Sequence, residues 1–208
     1  MKMQSVTIID CGMGNLWSIS SALKHIGCNP IISNDPTEIQ NADSLLLPGV
    51  GSFRTAMIAL RENDLDQAIV EAVKTKGTKI LGICLGMQLL GTESTEDGFT
   101  LGRGLIPGGV DKFNPQKIRE YKIPHIGFDL VHSQSDAQLF KGLPQAADFY
   151  FVHSFRMLAD GLSGKHATCN YGDAFLASYE RDNIFATQFH PEKSQTNGLL
   201  LLKNFLTL

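Results

Sequence analysis

A cysteine flanked by glycines is the first feature of this 208-residue sequence that suggests chemistry. Cys84 is the centre of the segment Gly82–Gly86 (GICLG), between a predicted buried strand and a predicted helix. So tight a strand-to-helix turn favours glycines, because side chains there would collide with neighbouring backbone. The turn also places the thiol beside a helix N-terminus, which favours the reactive thiolate. The segment alone is equally consistent with a buried structural cysteine.

A histidine and a glutamate that could assist a thiol follow another predicted strand. The segment Gln188–Glu192 reads QFHPE, and His190 lies at the carboxyl end of the strand. Glu192 can accept a hydrogen bond from the imidazole, while the intervening proline stiffens the turn. Alone, this segment is typical of a surface strand end. Together with Cys84, it predicts a nucleophile, a base and an orienting carboxylate.

Backbone donors for a reaction intermediate are predicted in a third segment, which reads LPGVG. It ends a predicted strand, and its glycines let backbone N–H groups approach a ligand closely. An oxyanion hole needs such donors. We expect them from Leu85, which follows the cysteine, and from the loop of Gly49, Val50 and Gly51. By itself the segment is equally typical of an ordinary βα turn.

The first half of the chain contains the alternating elements that would position these residues. The predicted strands are Ser5–Asp10, Pro30–Ser33, Asp43–Leu47 and Lys79–Ile83. The predicted helices are Leu16–Ile26, Phe53–Arg61, Leu65–Lys74 and one that starts at Leu85–Leu90. This alternation predicts βαβ units and a parallel sheet.

Strand-like runs follow one another in the second half and predict a mixed or antiparallel extension of the sheet. They are Ile126–His132, Phe149–Phe155, Ala167–Tyr171, Phe175–Tyr179 and Ile184–Phe189, followed by a closing helix at Gly198–Leu206. No linker, repeat or low-complexity tract interrupts the sequence. We therefore predict one α/β domain over residues 1–208.

Composition excludes several other classes of protein. The chain is 43% hydrophobic and 19% charged, with a net charge of −3 and no run of Lys or Arg, so neither nucleic acid nor an anionic membrane is an expected partner. Its apolar stretches are too short to span a bilayer, and its start lacks signal-peptide features. We expect a cytoplasmic protein. The four cysteines are scattered without metal-ligand spacing, so neither a metal site nor a disulfide framework is predicted.

The segments LPGVG, GICLGMQLL, YFVHS and QFHPEKSQ, in this order and spacing, resemble the class I glutamine amidotransferases of the triad type. Within that family the pattern is most similar to the glutaminase subunits of imidazole glycerol phosphate synthase. The resemblance covers essentially the whole chain. It implies a central, mostly parallel mixed sheet flanked by helices, hydrolysis of glutamine to glutamate and ammonia, and no metal or organic cofactor.

The resemblance also assigns roles to individual residues. It makes Cys84 the nucleophile, His190 the base and Glu192 its partner. The substrate glutamine would be held by Gln88 and Glu96. The backbone of His153 and Ser154 would line the same pocket.

A partner chain is implied as well. The sequence ends with its last predicted helix, so we expect the acceptor of the ammonia to be a separate synthase (cyclase) subunit with the fold of a (β/α)8 barrel. The chain has Asp10-Cys11-Gly12 where the family commonly has Asn-Tyr-Gly, Gly127-Phe128-Asp129 in place of Gly-Trp-Asn, and Phe155 in place of Tyr. The first two lie in regions that face the partner in the family. We therefore expect Phe128, Asp129 and Lys193 at the interface.

These departures leave the ammonia acceptor open between histidine biosynthesis and a surface-sugar pathway. Two other functions are weighed against the glutaminase. A stand-alone cysteine hydrolase would need neither a partner nor glutamine, and Gln88, Glu96 and the HPEKSQ segment argue against it. A non-catalytic scaffold is disfavoured by the intact set of Cys84, His190 and Glu192.

Overall fold

A nine-stranded mixed sheet forms the centre of the computed structural model, which describes residues 4–118, 120–159 and 161–208. The strands, in chain order, are β1 (Ser5–Ile9), β2 (Asn29–Ser33), β3 (Ser44–Gly49), β4 (Lys79–Cys84), β5 (Glu93–Ser94), β6 (Thr100–Leu101), β7 (Val110–Lys112), β8 (His125–Ser133), β9 (Ala146–His153), β10 (Phe155–Met157), β11 (Lys165–Asn170), β12 (Ala174–Arg181) and β13 (Ile184–Thr187). The helices are α1 (Leu16–His25), α2 (Pro36–Gln40), α3 (Phe53–Glu62), α4 (Leu65–Val70), α5 (Leu85–Leu90), α6 (Pro115–Ile118) and α7 (Gln195–Thr207).

The large sheet has the order β2-β1-β3-β4-β13-β12-β11-β8-β9. The four pairings from β2 to β13 are parallel, and the four from β13 to β9 are antiparallel. The predicted α/β domain with a mixed sheet is thus confirmed. Strand β13 returns from the antiparallel half to lie directly beside β4, which brings the carboxyl ends of these two strands together.

Both faces of β1, β3, β4 and β13 are covered, as expected for parallel strands inside a sheet, whereas the edge strand β2 is largely exposed. Alternate residues of β3 belong to different cores. Leu46 packs in the core on the side of α1 and α7, whereas Leu45 and Leu47 pack in the core under α3 and α4. Since side chains alternate along a strand, the helices lie in two layers with the sheet between them.

Several predicted boundaries differ from the structure. The predicted helix Leu65–Lys74 changes after Val70 into a π-helical turn, Glu71–Thr75. The predicted strand Phe149–Phe155 is two strands, because the chain leaves the large sheet at Ser154. Beyond that point β10 pairs with β7 in a second sheet of order β10-β7-β5-β6, which the sequence did not predict.

The described part of the chain contains no helix that is both long and apolar enough to cross a membrane.

The backbone of α5 packs directly against the backbone of β3. A Cβ placed on Gly86 would stand 1.8 Å from the Leu47 carbonyl oxygen, and one on Gly82 would stand 2.9 Å from the Met87 nitrogen. Both neighbours are backbone atoms in buried elements. The two glycines that flank Cys84 are therefore required by packing, as the sequence indicated.

This contact predicts a large difference between two glycine substitutions. We expect Gly86→Ala to cost on the order of 1–3 kcal/mol by overpacking and to lower Tm by about 2–12 °C. Gly14→Ala is the control, because its nearest neighbour would be at an ordinary 3.6 Å. Thermal unfolding followed by circular dichroism measures both. Equal Tm values for the two variants would contradict the packing argument.

Candidate active site

Cys84 ends β4 in a strained backbone conformation. Its φ of 53° and ψ of −110° lie outside the ordinary regions for a side-chain-bearing residue, and the next residue, Leu85, begins α5. Such strain costs on the order of 1–3 kcal/mol and persists only where surrounding packing imposes it. Here the flanking glycines allow the backbone of α5 to pack directly against β3. The thiol is held at the sheet edge, where Cys84 is only 6% exposed, as in a nucleophile elbow.

His190 is brought to the same edge by the parallel pairing of β13 with β4, in which Thr187 lies opposite Ile83. Its Nδ1 donates to Glu192 Oε1 over 2.8 Å, and both side chains are almost fully buried. This bond directs the other nitrogen, Nε2, away from the carboxylate. Among the described residues, Nε2 has no hydrogen bond of standard geometry.

The turn that carries His190 is fixed by a serine that the sequence analysis missed. The Ser194 hydroxyl donates to the His190 carbonyl over 2.7 Å and accepts from the Tyr150 amide over 3.0 Å. Behind the turn, a Cβ on Gly198 would lie 1.8 Å from the Pro191 carbonyl oxygen. The imidazole is therefore held between β9 and α7.

Charge around the imidazole favours its protonated form. Burial lowers the pKa of His190, but the nearby Cys84 sulfur and the hydrogen-bonded Glu192 carboxylate outweigh burial and raise the pKa to about 10. Each of these groups stabilises an imidazolium more than a neutral ring. The imidazole can therefore hold a proton at neutral pH.

A pocket of about 290 Å³ opens beside Cys84. It brings together eight of the residues predicted from sequence, which are Val50, Gly51, Cys84, Leu85, Gln88, Glu96, His153 and Ser154. Gly49, His190 and Glu192 instead line a small cavity that shares Val50 with this pocket. A larger cavity of about 680 Å³ lies at the far end of β4, beside Lys79, and contains none of these residues.

Gln88 and a second buried glutamine form an amide pair next to the sulfur. Gln88 Nε2 donates to Gln188 Oε1 over 2.9 Å and to the Phe155 carbonyl over 3.0 Å. Gln188 Nε2 faces Cys84 Sγ at 3.6 Å. The sequence analysis quoted Gln188 only as part of a motif. Its position at the end of a predicted buried strand is a signal that the sequence offers. Its contact with Cys84, however, depends on the order of the strands in the sheet, which the sequence does not show.

The other predicted substrate residues occupy opposite walls of the pocket. Glu96 Oε2 accepts from the Phe53 amide at the start of α3, 2.8 Å away, and burial raises the pKa of its carboxyl group. His153 Nδ1 contacts the Phe155 carbonyl at 2.7 Å, and the Ser154 carbonyl accepts from the Phe113 amide. The His153–Phe155 wall is thus held by its own backbone and ring contacts.

Two of the three predicted interface residues meet at one tyrosine-centred cluster. Phe128 packs edge-to-face on Tyr150 with 5.5 Å between ring centroids, and Lys193 Nζ lies 5.7 Å from the centroid of the same ring. Asp129, the third, is on the neighbouring position of β8 and contacts His125. The interface itself stays a prediction.

A cysteine at a strand-to-helix turn and a histidine–carboxylate pair, at the same edge of an α/β sheet, are the groups that thiol-dependent acyl transfer requires. The chain belongs to the class-I glutamine amidotransferase family, whose model matches residues 7–208. It is a glutamine-hydrolysing enzyme, as the resemblance implied. Solved structures agree on the fold: a putative GMP synthase protein from Thermoplasma acidophilum (TM-score 0.71, 22% identity) and PurLQS from Thermotoga maritima (TM-score 0.75, 17% identity). They cover 100% and 99% of this chain, and 94% and 98% of theirs.

Similar sequences cover the whole chain. One from Parasynechococcus marenigrum, named imidazole glycerol phosphate synthase subunit HisH 1, is 43% identical over 99% of this chain and 98% of its own length. Two proteins named imidazole glycerol phosphate synthase subunit HisH are each 44% identical. The one from Syntrophotalea carbinolica spans 96% of this chain and 98% of itself, and the one from Methanosarcina barkeri spans 99% and 100%.

The environment of His190 predicts its titration. Because its folded-state pKa is raised to about 10 from 6.5, protonation stabilises the fold fully below about pH 6.5, and this contribution disappears as the pH rises through about 10. We expect NMR of the labelled imidazole to show a midpoint near pH 10. Cys84→Ser and Glu192→Gln should each move it lower. A midpoint near 6.5 in the unaltered protein would disprove the electrostatic assignment.

Proposed function

We propose that the chain is the glutaminase subunit of an imidazole glycerol phosphate synthase, and that Cys84, His190 and Glu192 are its triad. The observation that supports this chemistry is that Cys84 and His190 lie at the same sheet edge. The thiol is buried on a strained backbone, and Nδ1 of the histidine is fixed by a carboxylate 2.8 Å away. The full-length similarity to proteins named HisH supports the pathway.

In this proposal the Cys84 sulfur attacks the carboxamide carbon of glutamine. The thiol proton passes to His190, whose imidazolium is stabilised by Glu192. The negative oxygen of the tetrahedral intermediate is held by the backbone N–H of Leu85 and a donor from the Gly49–Gly51 loop. His190 protonates the leaving nitrogen, which departs as ammonia. Water, deprotonated by the same imidazole, then cleaves the thioester to glutamate.

Substrate binding is assigned to the 290 Å³ pocket. Glu96 can accept from the α-amino group of glutamine, while Gln88 and the backbone at His153 and Ser154 orient the rest. The pocket supports glutamine because its carboxylate and carbonyl acceptors are concentrated on the walls beside a single nucleophile. A general cysteine hydrolase has no need of that arrangement.

The ammonia acceptor in this proposal is a separate cyclase subunit whose (β/α)8 barrel binds over the pocket mouth. The names of the relatives favour the histidine pathway over the surface-sugar alternative. Adding purified cyclase subunits of the two kinds to this chain decides between them. Glutamine-dependent synthesis with a histidine-pathway cyclase supports the proposal. Synthesis only with a sugar-pathway synthase would replace it.

The triad assignment predicts an order of losses. Cys84→Ser should lower glutamine hydrolysis on the order of 10⁴-fold or more, whereas Glu192→Gln should cost about 10–100 times less, since it orients the base without attacking or transferring the proton itself. Ammonia release in a coupled glutamate assay measures both. A retained fold by circular dichroism and unchanged partner binding are the controls. Near-normal turnover by Cys84→Ser would remove the triad.

Partner docking should raise kcat, because the loss of one oxyanion donor costs on the order of 10²–10³ in rate and the Gly49–Gly51 loop can change its orientation. Gly51 has a φ of 106°, which supports such freedom. Lys193→Glu should weaken this activation, while the same reversal at exposed Lys203 serves as the control. Equal kcat with and without saturating cyclase would eliminate the loop switch.

A further inference from the structure

A chain of polar contacts leads inward from the exposed side of β8. Asp129 Oδ2 lies 3.0 Å from His125 Nε2, and His125 Nδ1 lies 3.1 Å from His153 Nε2. His153 Nδ1 then contacts the Phe155 carbonyl at 2.7 Å. The Asp129 side chain is 41% exposed, whereas that of His125 is 1% exposed. The outer end therefore meets solvent and the inner end forms a wall of the substrate pocket.

The Phe155 carbonyl also connects this series of contacts to Cys84. The Phe155 oxygen accepts from Gln88 Nε2 as well as from His153, and Gln88 also donates to Gln188 Oε1. A carbonyl oxygen can only accept, so the amide nitrogen of Gln88 must face it. Gln188 consequently presents its oxygen to Gln88 and its nitrogen to Cys84 Sγ, 3.6 Å away. The orientation of both amides depends on one carbonyl.

Two neutral imidazole rings do not carry enough protons for all the contacts between Asp129 and the Phe155 carbonyl. The three contacts begin at the Asp129 carboxylate and end at the Phe155 carbonyl, both of which only accept. Each contact needs one N–H, but two neutral imidazoles supply only two. Burial lowers the pKa of His153 to about 3, so a third proton belongs on His125.

The surroundings of His125 decide how firmly that proton is held. The ring is stacked on Tyr171 and Phe151, with centroids 3.9 and 4.7 Å away. Burial lowers the pKa of His125, against the opposing influence of Asp129. The other titratable or charged groups that act on this cluster are Arg156 and His190 through His153, and Cys169 through Asp129. The third proton is therefore lost as pH rises, below the ordinary range of a histidine.

We propose that Asp129 and His125 are positioning residues that set the Gln188 amide on the Cys84 sulfur, through a hydrogen-bonded chain that is complete only while His125 carries two ring protons. The proposal rests on Cys84 as the nucleophile of the proposed function. When the third proton leaves, the charged carboxylate keeps the remaining N–H of His125, because it is the stronger acceptor. The contact that fails is then one made by His153, beside the pocket.

When His125 is neutral, Asp129 and His153 therefore compete for its single N–H, and His153 belongs to the pocket wall. An asparagine in place of Asp129 removes the competition, because its amide can donate to Nε2 while Nδ1–H serves His153. A donor on a docked partner that engages the Asp129 carboxylate frees His125 in the same way. The exposed end of the chain is therefore suited to transmit docking to the sulfur.

The test is the rate at which iodoacetamide alkylates Cys84 in the free chain between about pH 4 and pH 8, a range that begins below the ordinary pKa of a histidine, with Cys84 quantified by peptide mass spectrometry. Asp129→Asn should match the unaltered chain at the lowest pH and react about three- to tenfold faster at the highest, the scale of one hydrogen bond. Asp129→Leu should behave similarly, since it also removes the competing acceptor. Gln188→Met should be slower throughout, because the donor to the sulfur is lost.

Asp148→Asn is the matched control, because it removes an exposed carboxylate from the neighbouring strand β9 and should leave the profile unchanged. The proposal is overturned if Asp129→Asn follows the unaltered profile, if Asp148→Asn produces the same change, or if Gln188→Met reacts normally. Alkylation requires neither glutamine nor partner. Failure of the proposed function would instead appear as glutamine hydrolysis that survives Cys84→Ser.

Discussion

The contact on which the site depends is the approach of α5 to the backbone of β3. Only a residue without a side chain fits at Gly86, where a Cβ would stand 1.8 Å from the Leu47 oxygen. That approach turns the chain so sharply that Cys84 adopts a φ of 53°. Cys84 belongs to one buried core and the next residue, Leu85, to the other, so packing on both sides of the sheet surrounds the strained turn. Because β13 lies beside β4, the same sheet edge also receives His190, without a long loop between the strand and the histidine.

The parallel half of the fold was predictable because its signals are local. Buried strands such as Lys79–Cys84 are short apolar runs bounded by turn residues, and helices between them start at capping residues such as Ser52. The departure at Ser154 was not predictable in this way. The run from Phe149 to Phe155 is uniformly strand-like, and it divides only because β10 finds β7 in a separate sheet. Strands of two or three residues carry too little pattern to show themselves in sequence.

The residues of the candidate site likewise fall into those that the sequence identifies locally and those that it does not. Cys84 and His190 could be found from residue type and spacing, since each has a rare chemical property and follows a strand. Gln188 and His125 have their significance only through contacts with residues distant in sequence; Gln188 meets a glutamine 100 positions away. A buried amide in sequence is indistinguishable from one that merely satisfies the backbone.

Two polar networks of different character reach the sulfur from opposite sides. The His190–Glu192 pair is charged when the imidazole holds a proton, and burying it is tolerated because each charge compensates the other. The Gln88–Gln188 pair is neutral, so it can direct a hydrogen bond at the sulfur but cannot take its proton. Reorienting an amide changes the field at the sulfur without moving His190. The neutral side is therefore the one through which the reactivity of Cys84 can be adjusted while the geometry of the His190–Glu192 pair stays intact.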